Sequence, residues 1–142
     1  MRNYDNYALG KWIKGDGEGT ALFNAITGEQ IGTATSKGLE FSEMMDYARK
    51  VGGPKLRKMT FQERGLMLKA LALHLHSVKN KFYALSGETG ATKIDSWIDI
   101  EGGIGNIFAN ASLRKNFPDL PYHIDGDMAP LSKNGTFIGH HI

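Results

Sequence analysis

No cysteine occurs among the 142 residues of the sequence. Its absence excludes disulfides, thiolate metal sites and any cysteine nucleophile within the chain. Long apolar runs are missing as well, since nothing approaches the roughly 20 residues that a transmembrane helix needs. The N-terminus, Met1-Arg2-Asn3-Tyr4-Asp5, opens into aromatic, alternating sequence and not into the apolar block of a signal peptide, which points to the cytoplasm. Nor does one sign of charge prevail, because the net charge is only +2. What remains, 41% hydrophobic and 23% charged residues, fits one ordinary globular domain with a modest core.

The small net charge is unevenly spread. Nine of the seventeen basic residues lie between Arg49 and Lys81, where Glu63 is the only acid. From Glu88 to Asp127 the acids dominate, with Asp95, Asp99, Glu101, Asp119 and Asp125 between them. A basic stretch can attract phosphates or nucleic acid. Without an aromatic platform or a recognised motif, it reads more simply as the wet face of one or two helices.

Patterning predicts an α+β fold. The first stretch reads as short strands: Tyr7 to Ile13 is aromatic-rich and ends at the glycine-rich turn Gly15-Asp16-Gly17-Glu18-Gly19. Strands over Thr20 to Asn24 and Gln30 to Thr35 flank Ala25-Ile26-Thr27-Gly28, a hairpin turn. Phe41, Met44, Met45, Ala48 and Val51 recur at helical spacing, and Gly52-Gly53-Pro54 is expected to end that helix. Thr60-Phe61-Gln62-Glu63 is a capping box, followed by an apolar stripe of Leu66, Met67, Ala70, Leu71, His74, Leu75 and Val78. A third helix is expected over Asn80 to Thr89, burying Phe82 and Leu85, and a fourth from about Asp95 to Lys115. The fourth would use Trp97, Ile98, Ile104, Ile107, Phe108 and Ala111. Pro118, Pro121 and Pro130 make the next segment irregular. Asn134-Gly135 then predicts a hairpin with arms over Leu131 to Lys133 and Thr136 to Ile142. An arm running to the last residue reads as a chain cut in mid-element. The expected organisation is N-terminal β-hairpins over 1–36, a layer of about four helices over 37–117, and a connection plus C-terminal hairpin over 118–142.

Few residues suggest chemistry. His74 and His76 are two apart on a helix and His140-His141 adjoin in a strand, so neither pair shares a face as metal ligands must; His74 reads as half-buried and His76 as solvated. Asp95 and Asp99 share a helix face, but acids in a first turn are explained by the macrodipole. Gly15 to Gly19 lacks the GK[ST] ending of a phosphate loop. No catalytic, metal or cofactor-binding residue is therefore assigned. Glu101-Gly102-Gly103-Ile104-Gly105 stands apart, because each glycine in a helix interior costs about 1 kcal/mol relative to alanine. Such glycines imply a close helix crossing or a helix wall that a ligand approaches closely.

Three stretches, Met59 to Leu75, Phe82 to Phe108 and Pro130 to Ile142, resemble the aldehyde dehydrogenase superfamily and within it the front part of the bifunctional, PaaZ-like phenylacetate-degradation enzymes. Gly10-Lys11-Trp12 and Asn24-Ala25-Ile26-Thr27-Gly28-Glu29 are similar to the superfamily's opening hairpins. The resemblance implies an NAD(P)-dependent oxidoreductase acting on a semialdehyde carried on coenzyme A. It implies that the cysteine nucleophile, the dinucleotide fold and the oxyanion-hole asparagine lie outside this chain. By the same resemblance the helical layer packs beside the cofactor domain, the Asn134-Gly135 hairpin starts an oligomerisation sheet, and Ile100, Gly103 and Ile104 form a wall of the substrate tunnel. The expected partners are the rest of the dehydrogenase domain and further copies in a homo-oligomer. The chain alone is expected to be non-catalytic scaffold. The competing expectation is a stand-alone, self-associating interaction module.

Overall fold

Short strands fold the first part of the chain, as seen in a computed structural model that describes residues 2–134 and 138–141. β1 (Arg2–Tyr4) runs parallel to β5 (Gln30–Ala34), which pairs antiparallel with β4 (Thr20–Phe23) in a three-stranded sheet. The β4–β5 turn is the expected one. Asn24 Oδ1 accepts from the backbone N–H groups of Ile26 and Thr27 at 2.9 and 3.1 Å, fixing the turn locally. Tyr7 to Ile13 lies in a tight hairpin, β2 (Asn6–Ala8) against β3 (Lys11–Ile13), among the short N-terminal strands expected. Leu9 and Gly10 take positive φ of 55° and 80°, the geometry that suits the twist of a two-residue hairpin. Leucine gives no warning of such a turn.

The helices differ from expectation in their joints. α1 (Phe41–Tyr47) does not stop at Gly52-Gly53-Pro54. It passes through a π-helical turn, Ala48–Gly52, into α2 (Gly53–Lys58). Pro54 sits in the first turn of α2, where a missing N–H costs nothing, and the Gly53 N–H reaches back five residues to the Ala48 carbonyl. The two helices expected over 60–78 and 80–89 are one, α3 (Phe61–Glu88), because no glycine or proline interrupts Val78-Lys79-Asn80-Lys81. α4 (Lys93–Ser112) ends in a 3₁₀ turn, Leu113–Asn116.

The C-terminal hairpin forms with a displaced first arm. β6 (Asp125–Pro130) pairs antiparallel with β7 (Ile138–His141), so Leu131 to Lys133 belongs to the connection. Proline at the strand end accounts for the stop, since it has no N–H to donate. Gly135 of the expected Asn134-Gly135 turn lies outside the described residues.

The molecule is thus α+β, and its packed heart is the antiparallel α3–α4 pair. Among the described residues the buried apolar side chains are Ala8, Ala72, Ile104 and Ala111, three of them alanines. The stripe expected to be core is largely exposed: Leu66, Met67 and Leu71 on α3, and Trp97 and Ile98 on α4. α3 is apolar on more than one face, so burying one face against α4 leaves the others uncovered.

Candidate functional site

Capping boxes start both helices of the pair. Thr60 Oγ1 accepts from the Glu63 N–H at 3.2 Å while the Thr60 N–H donates to Glu63 Oε2 at 2.8 Å. Thr92 and Asp95 repeat the arrangement at the head of α4. Gly90, at φ 83°, makes the left-handed stop that lets α4 fold back along α3.

Contacts at three levels, the two ends and the middle, hold the pair along its length. Near the turn, Ser96 Oγ donates to Ser86 Oγ at 2.8 Å. At the far end Gly65 lies so close to α4 that an added Cβ would sit 2.9 Å from the Ala111 carbonyl oxygen. Gln62 Nε2 closes that end by donating to the Arg114 and Phe117 carbonyls at 2.7 and 3.2 Å. Between these ends lies Glu101, whose Oε1 accepts from Lys79 Nζ at 2.6 Å and from the Tyr83 hydroxyl at 3.2 Å. His76 Nδ1 lies 3.9 Å from Oε2. The Lys79 ammonium holds the Glu101 carboxyl below its ordinary range against some desolvation. Desolvation, and then the Glu101 charge, push the Tyr83 phenol up.

Beside this network opens an apolar groove of about 330 Å³ lined by Leu75 and Phe82 of α3 and by Ile100, Gly103, Ile104 and Ile107 of α4. The three residues expected to form a wall, Ile100, Gly103 and Ile104, therefore come together, with Ile104 only 6% exposed. Bare helix surface shapes the groove. Among the described residues, a Cβ added at Gly102, Gly103 or Gly105 would meet nothing within 4 Å. These glycines do not serve a helix crossing inside this chain, since the crossing is at Gly65. The groove has no charged lining, so it suits an apolar or extended neutral occupant and offers no group for acid–base work.

The other candidates separate. Asp95 caps α4, while Asp99 is exposed and does not pair with it. His74 is exposed, contrary to the half-buried reading, because Ala72 and Leu75 occupy the inward face; His76 is exposed as expected. The side chains of His140 and His141 lie outside the described residues. Among the described residues, no three His, Cys, Asp or Glu side chains come together to hold a metal ion, and no helix is long and apolar enough to cross a membrane. Gly15 to Gly19 leads into β4 and not into a helix N-terminus, and the α4 glycines lie mid-helix with no strand before them. Neither can cradle a dinucleotide pyrophosphate. The basic stretch is partly spent internally, with Lys50 on Asp46, Lys79 on Glu101, and Arg64 on the Met59 and Pro121 carbonyls. Sequence reasoning missed Glu101 as the hub between the helices, because its partners are 18 and 22 residues away.

No protein-family profile matches the chain. It is 32% identical over 137 residues to a 3,4-dehydroadipyl-CoA semialdehyde dehydrogenase of Aromatoleum evansii, a match covering 96% of this chain and 27% of that protein. The chain thus spans about a quarter of that relative's length. The resemblance to PaaZ-like aldehyde dehydrogenases is shown over nearly the whole chain, as similarity to one segment of a larger enzyme.

Proposed function

We propose that this chain is the front scaffold of a PaaZ-like aldehyde dehydrogenase domain, and that the α3–α4 groove is one wall of the passage taken by a CoA-linked semialdehyde. The observation that carries the reading is the convergence of Ile100, Gly103 and Ile104 in one uncharged groove where the α4 backbone is bare. Similarity along 96% of the chain to a semialdehyde dehydrogenase supports the same reading. A thioester arm is long, flexible and mostly uncharged between its phosphates and its acyl end. It gains by laying methylenes on Ile and Leu side chains and by approaching a backbone without Cβ atoms. In this reading the nucleophile, the NAD(P) site and the deacylating base belong to the remainder of the domain. The role of this chain is to shape the passage and exclude water from it.

The test replaces the corresponding segment of the Aromatoleum relative with this chain and introduces Gly103→Leu. The leucine is expected to raise KM for the CoA semialdehyde about tenfold or more, the scale on which a few methylenes discriminate in an apolar site, with the melting temperature held. Unchanged kinetics would sink the passage and leave only packing. A second reading, a self-associating module, draws on the exposed stripe of Ile94, Trp97 and Ile98 on α4, at 71%, 59% and 56% exposure. Sedimentation of the chain alone separates the two: a monomer at high concentration removes the module.

A further inference from the structure

We infer that Glu101 is the positioning residue of the groove: gripped by Lys79 and Tyr83 of α3, it fixes the rotation of α4 that turns Ile100 and Ile104 toward Leu75 and Phe82. The inference deepens the proposed passage and rests on it for its functional meaning, although the positioning itself can be read without any ligand. Packed helices are normally held against rotation by side chains that seat in the neighbour's grooves. Where α4 lines the groove that device is thinned, with buried Ile104 standing among bare glycines. Of the four residues from Gly102 to Gly105, only Ile104 has a side chain, and the glycines touch nothing that would resist a turn about the axis. Toward the loop, the Ser86–Ser96 bond lies five residues before Glu101; toward the other end, the Ala111–Gly65 approach lies ten residues after it. Across the interval, the hydrogen bonds described between the two helices are those of Glu101.

The geometry suits a brake on rotation. Lys79 and Tyr83 are one turn apart on α3, and both donate to the same oxygen of Glu101, so the carboxylate is held between two fixed heights. The Lys79 and Glu101 side chains are only 29% and 23% exposed, which spares the pair much of the screening that weakens surface ion pairs. Its titratable and charged surroundings are few. α3 presents His76, Lys79 and Tyr83; α4 itself carries Lys93, Asp95 and Asp99; and the 3₁₀ turn contributes Arg114 and Lys115 at the distant end. Protonating Glu101 removes the charge that holds Lys79, so the groove should loosen in acid.

The test is methyl NMR of the full chain, following Leu75, Ile100, Ile104 and Ile107, with Ile31 in β5 as a remote control. In the wild type the groove methyls are expected to shift together as Glu101 is protonated, while Ile31 stays still. Glu101→Gln should show the acid positions already at pH 7 and lose the titration. Glu101→Asp, shorter by one methylene, should displace the same signals in a folded chain even if the amide variant is too unstable to study. Exchanging the charges with Lys79→Glu and Glu101→Lys should return the methyls toward their wild-type positions. The inference is overturned if either single variant leaves the groove methyls and the Phe82–Ile104 nuclear Overhauser contacts unchanged, or if the folded exchange variant keeps the displaced positions. Methyls that move as expected while Gly103→Leu leaves the kinetics untouched would mean that Glu101 positions a groove that is not the substrate passage.

Discussion

Gly65 and the glycines of α4 show how one residue type answers opposite demands. At Gly65 an added Cβ would lie 2.7 Å from Arg114 side-chain carbons and 2.9 Å from a backbone oxygen that cannot step aside. Gly65→Ala should therefore lose about 1–3 kcal/mol by overpacking, more than the roughly 1 kcal/mol that alanine gains in helix propensity. Gly102→Ala or Gly105→Ala meets open space and should instead stabilise the chain by up to about 1 kcal/mol. Chemical denaturation of the three variants checks both signs. Residue chemistry also sets a pH response. The Arg2 fork holds Glu88 through hydrogen bonds of 2.7 and 2.8 Å and lowers its pKa, as Lys79 lowers that of Glu101. A carboxylate with a depressed folded pKa contributes stability above its unfolded value of about 4.5. That contribution fades as the pH drops below 4.5 and through the depressed folded value. Denaturation midpoints should fall over that acid interval, and less steeply in a Glu88→Gln, Glu101→Gln double variant.

Helix ends carry the next set of consequences. Thr60→Ala and Thr92→Ala each remove one half of a capping box and should lower stability by about 1 kcal/mol. The two losses should add, since the caps share no partner; melting of the single and double variants measures this. The Thr60 box was legible because its signal is local, a threonine three residues before a glutamate. The groove was half legible: Ile104 and Ile107 fall on the helical stripe by spacing, whereas Ile100 and Gly103 were named through the family resemblance. Their counterparts Leu75 and Phe82 emerge only when α3 and α4 are brought side by side. The ends of elements were read less well where a local signal had two outcomes. Gly52-Gly53-Pro54 can stop a helix or begin a new one after a π turn, and the choice turns on the Gly53 N–H finding the Ala48 carbonyl. Lys79 and Glu101, 22 residues apart, left no mark in the sequence at all.

Across the molecule, apolar surface outruns the partners available to cover it. Ile26, Ile94, Trp97 and Ile98 remain more than half exposed, and no large side chain is fully buried among the described residues. The chain by itself is expected to bind an environment-sensitive naphthalene-sulfonate dye and to lose that signal when joined to the remainder of a dehydrogenase domain; undiminished fluorescence in the joined protein would mean that these faces stay open. The ribbon formed by β6 and β7 belongs to the same account. Its strands pair chiefly with each other, and a two-stranded hairpin has little stability of its own in water. The link before it, residues 117–124, has no regular structure; it is tethered at its start by Phe117, which stacks on Phe61 and accepts from Gln62, and then by Leu120 accepting from the Phe61 N–H and Pro121 accepting from Arg64. A dilute protease should therefore find its first cut at this link, shedding the ribbon while α3 and α4 stay whole and leaving a shortened product that reports where the cooperative unit of the chain stops.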